Sequence, residues 1–532
     1  MDNIQETVNE RSCVVKEKNN ELCNENSNCL QHINRSNLKE KITRSDIMPQ
    51  VIASCIIHCI VIKVGVNMAF STVLLNDLKL DNIGMTITQN EESWIASLVT
   101  ITLPIGSIIS GSLMDKFGRK VVCQLSCVPM IISYILFIFA KSVIIIYAAR
   151  FIAGIASGLT TTGMIYISEL SNPKIRPMLL CLNSVYVSLG ILITCCLAAL
   201  IDWHKMVIIF LILECCIFFA LFFLPKSPYW LACFRSGMLD EKRTREMKCN
   251  LKRLNRRQTI YEQEYARIME IARNRVTNEK KSNTVVASIR NYYYKFILPS
   301  AYKPIVILFV LFLLQQLSGS YVIIFYAMSI FNEMSEVLGH NFNENSALVM
   351  LGIVRFVISI LTVFSSRRYG RRVICILSGI GMTISMFLSG IYVHFMVSHE
   401  DTKETMADYK WILLLFVLSY ICFSTFGIIN IPWTLIGELI PMSIRGIGAG
   451  LIVSLAYIMM FAVIKSYPYI SKSVNIGNIF FLFSSTSLIC TAYVYFFLPE
   501  TFNKSFSDIE KIFNPKSKRE VRKQCDVDST NC

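Results

Sequence analysis

The sequence predicts an all-α membrane protein with twelve transmembrane helices in two pseudo-symmetric six-helix bundles. Three observations carry this. Apolar segments of about twenty residues, the length a helix needs to cross a bilayer's hydrocarbon core, recur six times on either side of a polar middle. Hydrophobic residues make up 53% of the 532-residue chain and charged residues only 17%, a balance typical of polytopic membrane proteins. Features of the first half also return in the second in the same order. SGSLMDKFGRKVV at Ser110–Val122 corresponds to SSRRYGRRVI at Ser365–Ile374, YISELSNPKIR at Tyr166–Arg176 to LIGELIPMSIR at Leu435–Arg445, and FFLP at Phe222–Pro225 to FFLP at Phe496–Pro499. Chance supplies one such pair easily; three in order indicate a duplication.

Residues 1–50 form a polar tail without the basic start and apolar core of a cleavable signal, so the first span itself is expected to target the chain. The first bundle, 51–225, holds spans near Val51–Leu75, Ser93–Leu113, Val121–Ala140, Val143–Ser168, Met178–Leu200 and Met206–Leu224. Residues 226–303, rich in Lys and Arg, read as a water-exposed linker. The second bundle, 304–498, holds spans near Pro304–Phe331, Ser346–Ser365, Val373–Met396, Trp411–Gly437, Gly446–Ile470 and Gly477–Leu498, and 499–532 form a second tail.

The formal net charge of +15 suggests a nucleic-acid ligand only until its distribution is considered. Lys116, Arg119, Lys120, Lys174, Arg176, the linker, Arg367, Arg368, Arg371, Arg372 and the C-terminal tail all fall on one side of the predicted membrane. The opposite loops carry acids, among them Asp77, Asp81, Glu91, Glu92, Glu400, Asp401, Glu404 and Asp408. That bias orients both termini and the linker to the cytosol and excludes nucleic acid as a partner. Most of the 19 cysteines, Cys55, Cys59, Cys195, Cys196, Cys215 and Cys216 among them, lie in apolar segments and read as small hydrophobes rather than a disulfide framework. No phosphate-binding Gly-Lys-Ser/Thr loop and no clustered His/Cys pattern occurs, so no metal, nucleotide or redox cofactor and no enzymatic activity are expected.

SGSLMDKFGRK, RFIAGIASG at Arg150–Gly158, YISELSNPKIR, QQLSGSYVIIFYAMSIF at Gln315–Phe331, INIPWTLIGELIP at Ile429–Pro441 and FFLPETFNKSF at Phe496–Phe506 together resemble the sugar porter family of the major facilitator superfamily. With Glu92-Ser93-Trp94-Ile95 ahead of the second span, the chain is most similar to the facilitated trehalose and glucose transporters, over about residues 50–513. The resemblance implies the major facilitator fold and alternating access in the plasma membrane, with a small-molecule solute, a sugar, as partner and a monomeric carrier. It also implies that charge pairs among Asp115, Arg119, Glu169, Arg176, Arg371, Glu438 and Arg445 lock the outward-open state and break as the halves rock. The alternative is a static cluster of topogenic charge.

Read as chemistry, Gln315 and Gln316 precede Ser318-Gly319-Ser320, which should loosen the seventh span near mid-membrane, and paired amides suit sugar hydroxyls. Trp433 after Pro432 offers an aromatic face for a pyranose ring. Interhelical bonding and plain packing are the competing readings. Gly154 and Gly158 form a Gly-x-x-x-Gly face for close helix approach. Several amides usual in the family are replaced, by Tyr321, Arg355, Ser184 and the pair Ala456-Tyr457. The pocket is thus expected to be Gln315, Gln316, Trp433, Tyr321, Arg355 and Tyr457. Arg367 and Lys226 stand where the family usually has acids. Lys63, Glu214 and Arg355 are intramembrane charges, expensive and hence functional candidates; pairing with another helix or snorkelling is expected of Lys63, and a peripheral position of Glu214. Gly65-Val66-Asn67 puts an amide where proton-coupled members carry an acid. The expected function is facilitative uniport of a sugar such as trehalose or glucose. Its rivals are a carrier of a non-sugar, anionic metabolite and a non-transporting solute sensor.

Overall fold

The computed structural model describes residues 44–79, 87–172, 175–233, 241–281, 296–338, 344–366, 368–398, 411–441 and 444–502, together with 504, 509, 512 and 513. Residues 1–43 and most of 503–532, Asp81, Lys174, Arg367, the acidic loop around Glu400–Asp408 and the side chain of Arg445 lie outside the described residues.

Among the described residues, twelve helices are long and apolar enough to cross a membrane. Spans 1 to 6 are Asp46–Lys79, Gln89–Phe117, Arg119–Ile138, Val143–Leu170, Arg176–Ala198 and Trp203–Phe223. Spans 7 to 12 are Pro299–Leu317, Glu344–Ser365, Arg371–Phe395, Trp411–Leu439, Gly448–Ser473 and Ile476–Phe497.

Local chemistry sets several ends. Thr88 and Glu91 form a reciprocal capping box that starts span 2 and satisfies two free N–H groups. Gly118, at φ 91°, makes the tight bend between spans 2 and 3, a conformation costly for any residue with a Cβ. The Gly154/Gly158 face packs span 4 on span 2: a Cβ at Gly158 would lie 2.2 Å from the Leu103 carbonyl oxygen, and one at Gly154 1.8 Å from Thr102 Oγ1. The close-approach reading of this motif is thereby correct.

Spans 2 and 11, and spans 5 and 8, make the main packing contacts between the two halves. On the side away from the linker, the halves are joined by hydrogen bonds. Met328 N donates to Thr72 Oγ1 at 2.8 Å, Gln89 Nε2 to the Pro468 carbonyl at 2.5 Å, and Lys465 Nζ to Ser93 Oγ at 2.6 Å. On the linker side, the space around Gly437 and Gly450 is open.

The linker departs from expectation. It contains helices Pro228–Cys233, Glu241–Leu254 and Gln258–Lys281, which bury Leu231, Met247, Leu251 and Ile268 in a small core of their own, flanked by Trp230, Tyr261, Tyr265 and Met269. Its charge masked a sparse helical period of apolar residues. This unit docks on the first half: Arg257 pairs with Asp46 at 2.9 Å, Gln50 Nε2 donates to Asn255 Oδ1 at 2.9 Å, and Trp230 Nε1 to the Asp115 carbonyl at 3.1 Å.

Candidate functional site

Two spans are interrupted at mid-depth, and the interruptions are bonded to each other. Span 7 ends at Leu317 and resumes as Ser320–Phe325 and Ala327–Leu338, with Gly319 at φ 83°. Ser318-Gly319-Ser320 therefore breaks the helix as its composition predicts. Span 10 is interrupted by a turn at 427–430, which the apolar pattern of Trp411–Gly437 did not announce. Backbone groups freed inside a membrane need internal partners, and side chains supply them. Gln315 Nε2 donates to the Ile428 and Ile429 carbonyls at 2.6 and 3.1 Å. Tyr420 Oη donates to the Ser318 carbonyl at 2.6 Å, and Ser378 Oγ accepts from Ile428 N at 3.0 Å.

This arrangement separates the two glutamines. Gln315 is fully buried, and both its donors are held by span 10, so it fastens one break to the other. Gln316 Nε2 donates to Gln315 Oε1 at 3.3 Å, which leaves Gln316 Oε1 buried without a partner. Interhelical bonding describes Gln315; the free acceptor belongs to Gln316.

Beside these breaks is an aromatic cluster. Trp433 Nε1 donates to Tyr321 Oη at 3.1 Å. The Trp433 ring lies 5.2 Å from that of Tyr457 and 4.9 Å, edge-on, from that of Phe312. Tyr321 is buried while Trp433 and Tyr457 remain half-buried. Arg355 of span 8 is 3% exposed and has Tyr321 and Cys195 as its electrostatic neighbours. Five of the six expected pocket residues thus share one neighbourhood around the breaks with Gln315 behind them. Ser184 instead turns its hydroxyl to the Cys181 carbonyl of its own helix at 3.0 Å, and Ala456 is fully buried.

The first half holds its own buried charges. Lys63 Nζ meets Glu214 Oε1 at 2.8 Å and donates also to the Ser126 carbonyl and hydroxyl at 3.0 and 3.1 Å. Glu214 is 2% exposed, which corrects the peripheral position expected of it: span 6 is a flanking helix, but this residue faces inward to a cation. Asn67 Nδ2 donates to Ser157 Oγ at 2.9 Å. Sequence reasoning passed over Arg150, which is wholly buried. It donates to the Asn67 carbonyl at 3.1 Å and packs over the rings of Phe70 and Phe137. Its place within the RFIAGIASG motif was the available signal.

At the linker-side ends the duplication is visible in atoms. Arg119 Nε donates to Glu169 Oε1 at 2.8 Å and Nη1 to Asp115 Oδ1 at 3.3 Å. Ser227, two residues past FFLP's proline, donates to Glu169 Oε2 at 2.5 Å. In the second half Arg371 Nη2 donates to Glu438 Oε1 at 3.1 Å, and Thr501, at the equivalent place, to Glu438 Oε2 at 2.5 Å. Each cluster joins neighbouring spans of one half. The symmetry fails where the acid is replaced. Glu500 accepts from the Arg371 and Arg372 amides at 2.9 and 3.2 Å, capping span 9, whereas Lys226 reaches into the linker to Glu246 at 2.9 Å. Arg176 Nη2 donates to the Ser171 carbonyl at 3.1 Å and stands apart from Glu169's partners.

The sequence matches the profile of the family described as "Sugar (and other) transporter" over residues 19–513. It is 26% identical over 439 residues to the facilitated trehalose transporter Tret1 of Bombyx mori, covering 82% of each chain. To the Tret1 protein of Polypedilum vanderplanki it is 26% identical over 468 residues, covering 87% of this chain and 88% of the other. Among solved structures, the inward open conformation of the xylose transporter XylE from E. coli superposes with TM-score 0.66 at 19% identity, over 86% of this chain and 98% of that one. The proton:xylose symporter XylE bound to 6-bromo-6-deoxy-D-glucose gives 0.67 at 19% identity, over 89% and 100%. At that identity the likeness establishes the fold.

Proposed function

Because this chain belongs to the sugar transporter family of the major facilitator superfamily, we propose that it carries a sugar across the membrane by alternating access, as a facilitative uniporter. The observation that carries this reading is the pair of bonded breaks in spans 7 and 10, which gathers Gln316, Tyr321, Trp433 and Tyr457 at mid-depth in the second half. Broken helices at mid-membrane with unspent polar groups are how carriers of this kind hold a solute. A free amide oxygen accepts from a hydroxyl, and the half-exposed Trp433 and Tyr457 rings cover the apolar face of a sugar ring. The names of the relatives favour trehalose or glucose as the first sugars to test.

In this reading the linker and both tails face the cytosol of a plasma-membrane protein, supported by the basic bias of that side. The clusters around Glu169 and Glu438, with Asp115, Arg119 and Arg371, stiffen the cytosolic ends of each half so that it moves as a body. The far-side bonds between the halves and the open space around Gly437 and Gly450 support an inward-facing reading, in which the intact clusters act within each half rather than as a latch that breaks. Absence of a titratable group at Asn67 supports uniport.

Purified protein in proteoliposomes, offered labelled trehalose and glucose, tests the proposal. Saturable uptake that ends at equal concentrations is expected. Uptake no greater than in empty liposomes for every sugar tried would sink it.

A further inference from the structure

We propose that the solute held at this central site is a sugar acid, whose single carboxylate is received by Arg355. The proposal rests on the transport reading above and narrows its substrate class.

Gly352, Arg355 and Ser359 are three and four residues apart, so they share one face of span 8. That face is turned to the other half. A Cβ at Gly352 would lie 3.2 Å from Leu192 Cα and 3.3 Å from Cys195 Cβ, and the Ser359 and Ser188 hydroxyls are 2.6 Å apart. Arg355 therefore sits between the halves at mid-depth. It is buried, and its Nε and Nη1 have no hydrogen-bond partner. A guanidinium in this position is expensive unless something anionic completes it.

The protein itself supplies no such partner among the described residues. Glu214 is taken by Lys63, Glu169 by Arg119 and Ser227, and Glu438 by Arg371 and Thr501. The groups acting electrostatically on Arg355 are a phenol and a thiol, Tyr321 and Cys195. Lys63 is committed to its carboxylate, whereas Arg150 also keeps Nε and Nη2 unpartnered but lies within the first half, bonded to the Asn67 carbonyl and packed over Phe70 and Phe137, away from the interface that Arg355 faces. A single guanidinium facing the other half calls for one negative charge there, which favours a monoanionic carboxylate over a dianionic phosphate. The neighbours specify the rest of the molecule. The tryptophan joined to Tyr321 offers a ring face, and Gln316 offers an acceptor for a hydroxyl.

D-Glucuronate and D-glucose differ at one carbon and form the probe pair. In proteoliposomes holding the full chain, glucuronate should compete for the site at least tenfold better than glucose. Under an inside-positive potential set with valinomycin and potassium, glucuronate should accumulate above its external concentration, while glucose stops at equality. Arg355→Asn should lower the glucuronate-to-glucose preference at least tenfold, and Arg355→Lys should retain part of it. The wild-type comparison stands even if a variant does not fold. Carriage of glucose or trehalose with no preference for glucuronate overturns the sugar-acid inference and leaves sugar transport intact. Carriage of neither sugar nor sugar acid overturns both.

Discussion

Lys63 Nζ lies 2.8 Å from Glu214 Oε1, with both side chains at least 98% buried, linking span 1 to span 6 inside the first half. Removing one member strands the other charge in a dry interior, at a cost of about 3–5 kcal/mol, whereas replacing both by apolar residues of like size is often neutral. Lys63→Met and Glu214→Leu alone should therefore lower the melting temperature in detergent sharply, and the double variant should recover most of the loss. Single variants as stable as the wild type would show that the pair contributes nothing to the first half's integrity.

The adjacent glutamines should fail in different ways. Gln315→Ala leaves the Ile428 and Ile429 carbonyls without their donor, and buried groups so orphaned cost about 1–3 kcal/mol each. Reduced thermal stability and yield are the expected readouts. Gln316→Ala removes an unpartnered acceptor and only the long 3.3 Å bond to Gln315 Oε1, so stability should fall less than in Gln315→Ala while solute affinity falls by about two- to tenfold, the worth of one hydrogen bond of ~0.5–1.5 kcal/mol. Equal stability and equal affinity in both variants would contradict the division of labour between them.

Glu169→Gln and Glu438→Gln keep side-chain size and remove the charge that holds Arg119 and Arg371. If these clusters hold neighbouring spans of each half together at their linker-side ends, losing that charge should loosen those ends and open the linker side further. Gly437→Cys places a thiol where a Cβ meets nothing within 4 Å, and its labelling rate from the linker side reports that opening. A rise of several-fold with either Gln variant is expected; an unchanged rate in well-folded protein would leave the clusters as static topogenic charge.

Energy coupling turns on Asn67. Its amide is held by Ser157 Oγ at 2.9 Å and cannot titrate, whereas a proton carrier needs a group whose pKa changes with conformation. Lys63 and Glu214, a buried ion pair of the same half, are bonded to each other rather than open to a solute. Uptake of a neutral probe sugar should accordingly stop at equal concentrations and ignore a protonophore or an imposed pH gradient. Uphill uptake driven by protons would place the carrier on Glu214 and end the uniport reading.

The number of spans, their duplication and the place of the helix break at Ser318–Ser320 were legible in the sequence. Each is a local property: twenty apolar residues in a row, a repeated motif, or a glycine flanked by serines declares itself within a few positions of the chain. Span 1 ran a few residues longer than its apolar stretch, because Asp46 and Lys79 at its ends are carried by Arg257 and Glu92, partners remote in sequence.

Partnership was what only the tertiary structure decided. Lys63 and Glu214 are separated by 150 residues of chain, and no periodicity pairs them; the same sequence allowed Glu214 at the periphery. Gln315 and Gln316 are chemically identical neighbours, distinguished only because span 10 breaks where one of them can reach its carbonyls. The linker's core of Leu231, Met247, Leu251 and Ile268 was hidden among charges for a similar reason. Four apolar residues across three short helices form a core only once those helices are brought together. Hydrophobic length is written along the chain, but the satisfaction of a buried polar group depends on what the fold carries up to it.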